Sequence, residues 1–280
     1  MFPGFGYGGI SKDDIYNLTY SQFRAIMKSF NEFVLHEGLY DPGIFHAFFL
    51  AGGPASGKSA ASFKVTGSRS NSFTRKRNER LVNVNVGKTG PMGLKVINSD
   101  EILEKLITDA GMHTEMDKYS PDELTQREEL RKKAKEMTAA KQKNFIAGRL
   151  GIVIDGTGKD YDKLITKANK LKGLGYEPTM IFVDTSLSVA IERNSKRGRT
   201  LDLTLVENAW EQVQQEKQRY RSYFGSKNFV MIPNDKEWDQ ELTKMMWGAI
   251  QKIAGRPVDN PIANTWKAYQ LRLKQAERGL

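Results

Sequence analysis

Residues 52–59 read Gly-Gly-Pro-Ala-Ser-Gly-Lys-Ser, which fits the pattern G-x-x-x-x-G-K-[ST] of a phosphate-binding loop. The largely apolar run at 45–51 predicts a buried strand directly before the loop, and residues 59–63 can begin a helix after it. This arrangement forms an anion site, because backbone N–H groups and the helix dipole both favour negative charge. The sequence therefore predicts a loop that binds phosphates; the alternative is a glycine-rich turn that binds nothing.

Within this loop, the pattern gives Lys58 and Ser59 different tasks. We expect Lys58 to reach the β- and γ-phosphates of ATP, and the Ser59 hydroxyl to hold Mg²⁺. Asn234 follows an apolar strand, and we expect it to border the adenine by analogy of position. The residues expected to contact the nucleotide are Gly52, Gly53, Pro54, Ala55, Ser56, Gly57, Lys58, Ser59, Ala60 and Asn234.

The composition limits the class of protein. The chain has 280 residues, 39% of them hydrophobic, which is enough for one α/β domain with appendages or for two small domains. It has no cysteine, which excludes disulfides and zinc–thiolate sites and favours a reducing compartment. We see no signal peptide and no apolar run that approaches the roughly 20 residues of a membrane span, and therefore expect a cytoplasmic protein without membrane partners. The net charge of +10 suits a polyanionic partner, or alternatively a solvated basic surface.

Strand and helix patterns alternate along the chain, which predicts an α/β fold: a P-loop NTPase-type, three-layer domain with a five-stranded parallel sheet. The expected strands lie at 45–51, 94–97, 151–155, 180–183 and 229–232. We expect a central domain at 45–254, with an N-terminal helical extension at 1–44 and a basic C-terminal tail helix at 255–280. That tail either packs on the domain or docks a protein partner.

Two insertions interrupt this alternation. Residues 64–90 are polar and carry a basic run, which indicates a mobile segment that is either a solvated loop or a contact for nucleic-acid phosphates. Residues 111–147 contain a helix start at Ser120, followed by Pro121 and Glu123, and a polar, lysine-rich helix to about Ala147. A solvated face is the default for that helix, and a position across an anionic substrate is the alternative.

Two acidic residues follow expected strands, at the edge where parallel sheets bind ligands. Asp100 is placed to accept the proton of an attacking hydroxyl or to position that hydroxyl; alternatively it caps a helix. Asp155 ends an apolar strand, as does an acid that holds Mg²⁺; alternatively it is a turn residue. Asp184 is placed in a similar way on the next strand, with a weaker case for a site role.

An arginine-rich segment follows the fourth strand. A helix expected from Ser186 to Arg199 carries Arg193 and Arg197 four residues apart, on one face. Arg193, Arg197 and Arg199 are therefore candidates to stabilise the charge of a transferring phosphoryl group. A solvated basic helix end is the alternative.

Four stretches together resemble the zeta-toxin and polynucleotide-kinase branch of the P-loop kinases. They are GGPASGKS at 52–59, VINSDE at 96–101, GIVIDGTG at 151–158 and FVDTSLSVAIERNSKRGR at 182–199. Their order and spacing are similar, more closely still, to kinase-like proteins of large tailed bacteriophages. The residues that read a sugar nucleotide in zeta toxins have no identifiable counterpart here.

The resemblance implies a phosphotransferase that depends on ATP and Mg²⁺ and acts in the cytoplasm, or in the host cytoplasm if a phage encodes it. Ser59 and Asp155 would organise Mg²⁺, and Asp100 would activate the acceptor hydroxyl. The basic charge favours a nucleic-acid or nucleotide acceptor. Two alternatives stay open at this point: a zeta-toxin-type kinase of a UDP-sugar, and a structural or nucleic-acid-binding protein that uses the nucleotide only as a gate.

Overall fold

The structure is a computed structural model that describes residues 39, 41, 43–58, 69–77, 80–89, 94–113, 119–196, 201–236 and 240–277. The N-terminal extension expected at 1–44 lies almost wholly outside these residues, as does most of the helix expected after the phosphate-binding loop.

The described elements are seven strands and seven helices, and after the fourth strand one or two helices separate each strand from the next. The strands are β1 (His46–Ala51), β2 (Arg69–Arg77), β3 (Arg80–Thr89), β4 (Lys95–Ile97), β5 (Ile152–Asp155), β6 (Glu177–Asp184) and β7 (Phe229–Pro233). The helices are α1 (Ser99–Asp109), α2 (Pro121–Ala147), α3 (Tyr161–Lys172), α4 (Leu187–Ser195), α5 (Leu203–Phe224), α6 (Gln240–Ala254) and α7 (Pro261–Glu277).

Five strands form the parallel sheet that the sequence predicts, in the order β4-β5-β1-β6-β7. β1 is the central strand, pairing with β5 on one side and with β6 on the other. The chain therefore leaves β1 at the middle of the carboxyl edge, with a strand end on each side. This position places the glycine-rich loop where ligands bind in open α/β sheets.

The segment at 64–90 departs from the expectation of an irregular insertion. Its residues form the antiparallel strands β2 and β3, which extend the sheet beyond β4 through the pair Thr89↔Lys95. Alternation of valine with polar residues along β3, at Val82, Val84 and Val86, suits a strand and was hidden by the overall polarity of the segment.

The core lies on both faces of the sheet, because successive side chains of β1 point to opposite faces. Phe49 and its alternate neighbours pack with residues of α3, α5 and α7, such as Leu171 and Tyr220. Phe48 and Leu50 pack on the other face with residues of α6. The described helices on the two faces, with the sheet between them, give the three layers that the sequence predicts.

The helical insertion forms as predicted. Ser120 caps α2 and forms a capping box with Glu123, and the helix runs over Pro121–Ala147. Its packing against α1 buries Leu103, Ile107 and Ala134 in a small separate cluster. Among the described residues, no helix is long and apolar enough to cross a membrane.

The C-terminal segment packs on the domain. Ala263 is fully buried in the β1 core, and the Trp266 ring meets the Phe45 ring edge-on, with centroids 5.4 Å apart. The backbone carbonyl of Arg256 also bonds the His46 side chain at 3.1 Å. Of the two possibilities for this tail, the structure therefore shows packing, while α7 still exposes Tyr269, Leu271 and Leu273.

We expect Trp266→Ala to lower the free energy of unfolding by about 2 kcal/mol, because it removes a half-buried ring and an aromatic pair. Tyr269→Ala is the matched control on the same helix: its side chain is 58% exposed, so the change should stay within about 0.5 kcal/mol. Urea unfolding of both variants measures the difference. Equal losses would contradict a specific contact between α7 and the core.

Candidate functional site

The loop that follows β1 is held by hydrogen bonds from residues that follow β6 and β7. The carbonyl oxygen of Ser56 accepts a hydrogen bond from Asn234 Nδ2 at 2.6 Å and from Thr185 Oγ1 at 3.2 Å. Thr185 follows β6 and Asn234 follows β7, and both side chains are buried. The position of the loop is therefore fixed by the parallel sheet itself.

The close packing around the loop explains why two of its positions are glycine. Gly57 has φ +84°, and a Cβ there would lie 2.4 Å from Asn234 Nδ2. A Cβ on Gly53 would lie 3.1 Å from the ring of Trp210, which in turn donates from Nε1 to the Thr185 carbonyl at 2.6 Å. Side chains at these positions would push the loop away from its supports.

Asn234 supports the loop from below. Its side chain is 1% exposed, and its Oδ1 is buried without a hydrogen-bond partner among the described residues. Its backbone N–H donates to the Asp184 carbonyl at 2.7 Å, which continues the pairing of β6 with β7. These contacts give Asn234 a structural task, and the contact with adenine stays a prediction.

Lys58 is folded over the loop. Its Nζ donates to the carbonyl oxygens of Gly52 and Gly53, at 2.6 and 2.8 Å. Its positive charge also lies near enough to Asp155 to lower the pKa of that carboxyl. The ammonium group thus lies between the glycine-rich loop and the acidic end of β5, where phosphate oxygens would meet both.

Asn98 joins the two acidic residues that the sequence predicts as site residues. Its Nδ2 donates to Asp155 Oδ2 at 2.9 Å, and its Oδ1 accepts from the backbone N–H of Asp100 at 2.8 Å. Asn98 follows β4 and Asp155 ends β5, so the two residues meet because these parallel strands pair. One amide group therefore links the carboxylate of Asp155 to the backbone at Asp100.

The N-cap of α1 is Asn98, and the alternative that Asp100 caps this helix is wrong. Asp100 lies in the first turn, where a negative charge stabilises the helix dipole. Its side chain is exposed, and its charge is close enough to raise the pKa of Asp155. An exposed carboxylate at this edge is accessible to an incoming hydroxyl group.

The surroundings of Asp155 disfavour the ionised form of its carboxyl group. Burial raises the pKa of its carboxyl, the positive charge of Lys58 lowers it, and the charges of Asp100 and Glu101 raise it further; the net direction is upward. A carboxylate with this environment gains from a nearby cation. Among the described residues, no three His, Cys, Asp or Glu side chains gather as a metal cage.

Asp184 is an acid at the carboxyl edge with a different environment. Its Oδ1 accepts from Gln214 Nε2 at 2.8 Å, and its Oδ2 accepts from Lys217 Nζ at 3.0 Å. Both partners belong to α5. The Asp184 carboxylate is therefore paired, and its contacts attach α5 to the end of β6.

The arginine-rich segment differs from the expected helix. α4 ends at Ser195, short of the expected end at Arg199, and Lys196 is its C-cap. The guanidinium of Arg193 donates to the carbonyls of Asn234 and Lys236, at 2.7 and 3.3 Å. These bonds attach α4 to the residues after β7.

Asn194 joins the end of α4 to the residues before α5. Its Nδ2 donates to the Leu201 carbonyl at 2.8 Å, and its Oδ1 accepts from the Leu201 N–H at 3.0 Å. These two bonds join the ends of the segment that contains Arg197 and Arg199. Four predicted site residues, Ser59, Ala60, Arg197 and Arg199, lie outside the described residues.

Sequence reasoning missed Asn98, Thr185 and Trp210, which position the phosphate-binding loop and the acids, and Asn194, which bonds the backbone of Leu201. Asn98 had a usable signal, since asparagine before a helix is a preferred N-cap. Trp210 had none, because a tryptophan at helical spacing reads as a core residue until the loop packed against it is known.

No protein-family model matches the chain, and a search of curated proteins finds no match. Among solved structures, the chain is similar to one from the PezAT toxin–antitoxin system of Streptococcus pneumoniae, with 13% identity, 85% of this chain and 98% of that chain covered, and a TM-score of 0.45. A gluconokinase from Sinorhizobium meliloti shows 13% identity, with 75% and 94% covered and a TM-score of 0.41. At these values the similarities carry no argument about activity.

We expect Asp155→Asn to stabilise the protein without ligands near pH 7. The pKa of Asp155 is raised on folding, so its ionised form opposes folding, and its contribution to stability falls as pH rises through that pKa. Asparagine keeps an acceptor for Asn98 and removes the charge.

Thermal unfolding between pH 3 and 8 measures this effect. The variant should have the higher Tm at pH 7, and the difference should vanish below about pH 4, where Asp155 is protonated in both states. Asp259→Asn, an exposed site outside the helices, is the control. A lower Tm for Asp155→Asn at pH 7 would contradict the conclusion that the charge of Asp155 opposes folding.

Proposed function

We propose that this chain is an ATP- and Mg²⁺-dependent phosphotransferase that moves the γ-phosphate to a hydroxyl group of a nucleic-acid or nucleotide acceptor. The observation that carries the proposal is the unit formed by Asn98, Asp100 and Asp155 beside Lys58. It combines an exposed carboxylate, a half-buried carboxylate and a phosphate-binding lysine at one edge of a parallel sheet.

The donor half of this site would use the loop amides and Lys58. Binding of ATP would draw the Lys58 ammonium from the carbonyls of Gly52 and Gly53 to the β- and γ-phosphates. Ser59 and Asp155 would hold Mg²⁺, which neutralises charge on the phosphate oxygens. The upward pKa of Asp155 supports this role, because a cation would relieve the repulsion from Asp100 and Glu101.

The acceptor half would use Asp100. In the proposed reaction the acceptor oxygen forms a bond to the γ-phosphorus, the bond from that phosphorus to the β–γ bridging oxygen breaks, and the acceptor proton passes to Asp100. ADP and a phosphate ester are the products. The exposure of Asp100 supports this assignment, because the carboxylate can meet an acceptor that arrives from solvent.

We assign Arg193 a positioning role, since its guanidinium already bonds two backbone carbonyls after β7. Arg197 and Arg199 are proposed to neutralise the transferring phosphoryl group. The two bonds between Asn194 and Leu201 support this proposal, because they draw together the chain on either side of these arginines.

The test is transfer of label from [γ-³²P]ATP to a panel of acceptors: a 5′-hydroxyl oligonucleotide, nucleosides, nucleoside monophosphates and UDP-N-acetylglucosamine. We expect label on an oligonucleotide or nucleotide, loss of transfer in Lys58→Ala, and a 10²- to 10⁴-fold lower kcat in Asp100→Asn, as is typical for a lost general base. Calorimetric ATP binding should survive in Asp100→Asn. The carboxylate control is Asp109→Asn, at the other end of α1, which should leave kcat unchanged.

Each contrary outcome has its own meaning. Label on the UDP-sugar alone would replace the proposed acceptor with that of a zeta-toxin-type kinase. ATP binding without transfer to any acceptor would contradict the proposed activity and favour a nucleotide-gated structural role. An unchanged kcat in Asp100→Asn would remove Asp100 from the mechanism.

We expect Asn98→Ser to separate the two tasks of Asn98. Serine keeps an N-cap acceptor for the Asp100 N–H but is too short to reach Asp155. Loss of this donor favours protonated Asp155, so the acid limb of the kcat profile should move to higher pH, and kcat near pH 7 should fall about 10- to 100-fold.

Tm should change little in Asn98→Ser, because the cap is retained, whereas Asn98→Ala should also lose about 1 kcal/mol of stability. Rate profiles from pH 5 to 9 and thermal unfolding measure the two effects. A lower kcat with an unmoved acid limb would show that Asn98 does not act through Asp155.

A further inference from the structure

The β2–β3 hairpin carries an unusual share of the positive charge. Residues 69–89 contain six Lys or Arg, namely Arg69, Arg75, Lys76, Arg77, Arg80 and Lys88, against one acid, Glu79. The hairpin thus has a charge of +5, which is half of the net charge of +10 for the whole chain. Four of the cations lie at its tip, where β2 ends and β3 begins.

The register shows the direction in which this tip points. β3 runs antiparallel to β4, with Thr89 opposite Lys95 at the start of β4. Residues that precede Thr89 therefore continue toward the carboxyl end of β4, which is the edge that carries the phosphate-binding loop and Asp100. Gly87 is level with Ile97 in this register, and the seven residues from there to Arg80 span about 24 Å of strand.

The tip also concentrates cations in a short stretch of the chain. Arg77 lies directly opposite Arg80 in the ladder, and Lys76 and Arg75 precede it. Residues 75–80 thus carry a net charge of +3, with Glu79 as their one acid, and this charge is complementary to a polyanion.

From this placement we propose that the hairpin tip is a docking surface for the phosphate backbone of a single-stranded nucleic acid whose 5′-hydroxyl end reaches Asp100. This inference rests on the proposed function and narrows its acceptor to a polynucleotide. A stacked strand advances about 3.4 Å per nucleotide, so 24 Å corresponds to about seven nucleotides. The hairpin should therefore distinguish long acceptors from short ones.

Nucleic acid suits this surface better than other anions. The cations of the tip lie about seven strand residues from the edge that carries Asp100, and a nucleic acid is an anion long enough to reach both places. A mononucleotide or a sugar nucleotide at Asp100 would be too short to contact a tip that lies seven strand residues beyond β4.

The test is binding of 5′-hydroxyl oligonucleotides of 2, 4, 8 and 16 nucleotides, labelled at the 3′ end, measured by fluorescence anisotropy with a non-hydrolysable ATP analogue present. The variant replaces Arg75, Lys76, Arg77 and Arg80 with glutamine. The matched control makes the same change in charge on α2, at Arg131, Lys132, Lys133 and Lys135, all of which are exposed. Calorimetric binding of the ATP analogue verifies that both variants are folded.

The wild-type affinity should rise with length and level off near eight nucleotides. We expect the hairpin variant to bind the 16-mer at least tenfold more weakly and the 2-mer with unchanged affinity. Its slope of log Kd against log salt should fall by about 3, since four single-strand phosphate contacts contribute about 0.7 each. The α2 variant should match the wild type.

Equal losses in both variants would show that only the net charge acts, and a loss confined to the α2 variant would move the surface to that helix. Either result overturns the proposal, as does an unchanged hairpin variant. Length-dependent binding through the hairpin without transfer of phosphate to any oligonucleotide would keep the docking surface and contradict the proposed kinase activity. If phosphate is transferred to oligonucleotides equally well by the wild type and the hairpin variant, the kinase activity stands and the docking surface is contradicted.

Discussion

The carbonyl oxygen of Ser56 is the point at which the sheet controls the site. It accepts hydrogen bonds from Thr185 and Asn234, which end β6 and β7, so three parallel strands determine where one loop lies. A buried polar group is normally paired, and these two hydrogen bonds pair the Ser56 carbonyl. Trp210 adds a third support through its bond to Thr185. A loop held in this way can present its N–H groups to a ligand with little rearrangement.

Asp155 and Asp100 differ in environment although the Asn98 amide group bonds both residues, the carboxylate of the first and the backbone N–H of the second. Asp155 is half-buried, and burial is the main cause of its raised pKa, whereas Asp100 is exposed at the first turn of α1. A half-buried, repelled carboxylate gains from a cation, and an exposed one can meet a proton donor from solvent. The proposed division between metal holding and proton acceptance follows from this difference, because both side chains have the same chemistry.

Features that depend on local patterns of sequence could be predicted, whereas features that depend on contacts between distant parts of the chain could not. The five parallel strands, the capped helix at Pro121–Ala147 and the loop at 52–59 follow from local patterns of hydrophobicity and capping. The early end of α4 and the two carbonyls that hold Arg193 did not, since they depend on the chain after β7. The hairpin was missed for a different reason: its alternation is weak, and its charge is typical of a loop.

The order of the strands divides the carboxyl edge into two halves. On one side of β1, the ends of β6 and β7 close under the phosphate-binding loop through Thr185 and Asn234. On the other side, β5 and β4 present Asp155 and Asp100, with α1, α2 and the basic hairpin beyond them. In the proposed reaction the donor therefore occupies the closed half and the acceptor the open half. A long acceptor that leaves the site along β4 would follow the hairpin, which carries half of the net charge of the chain.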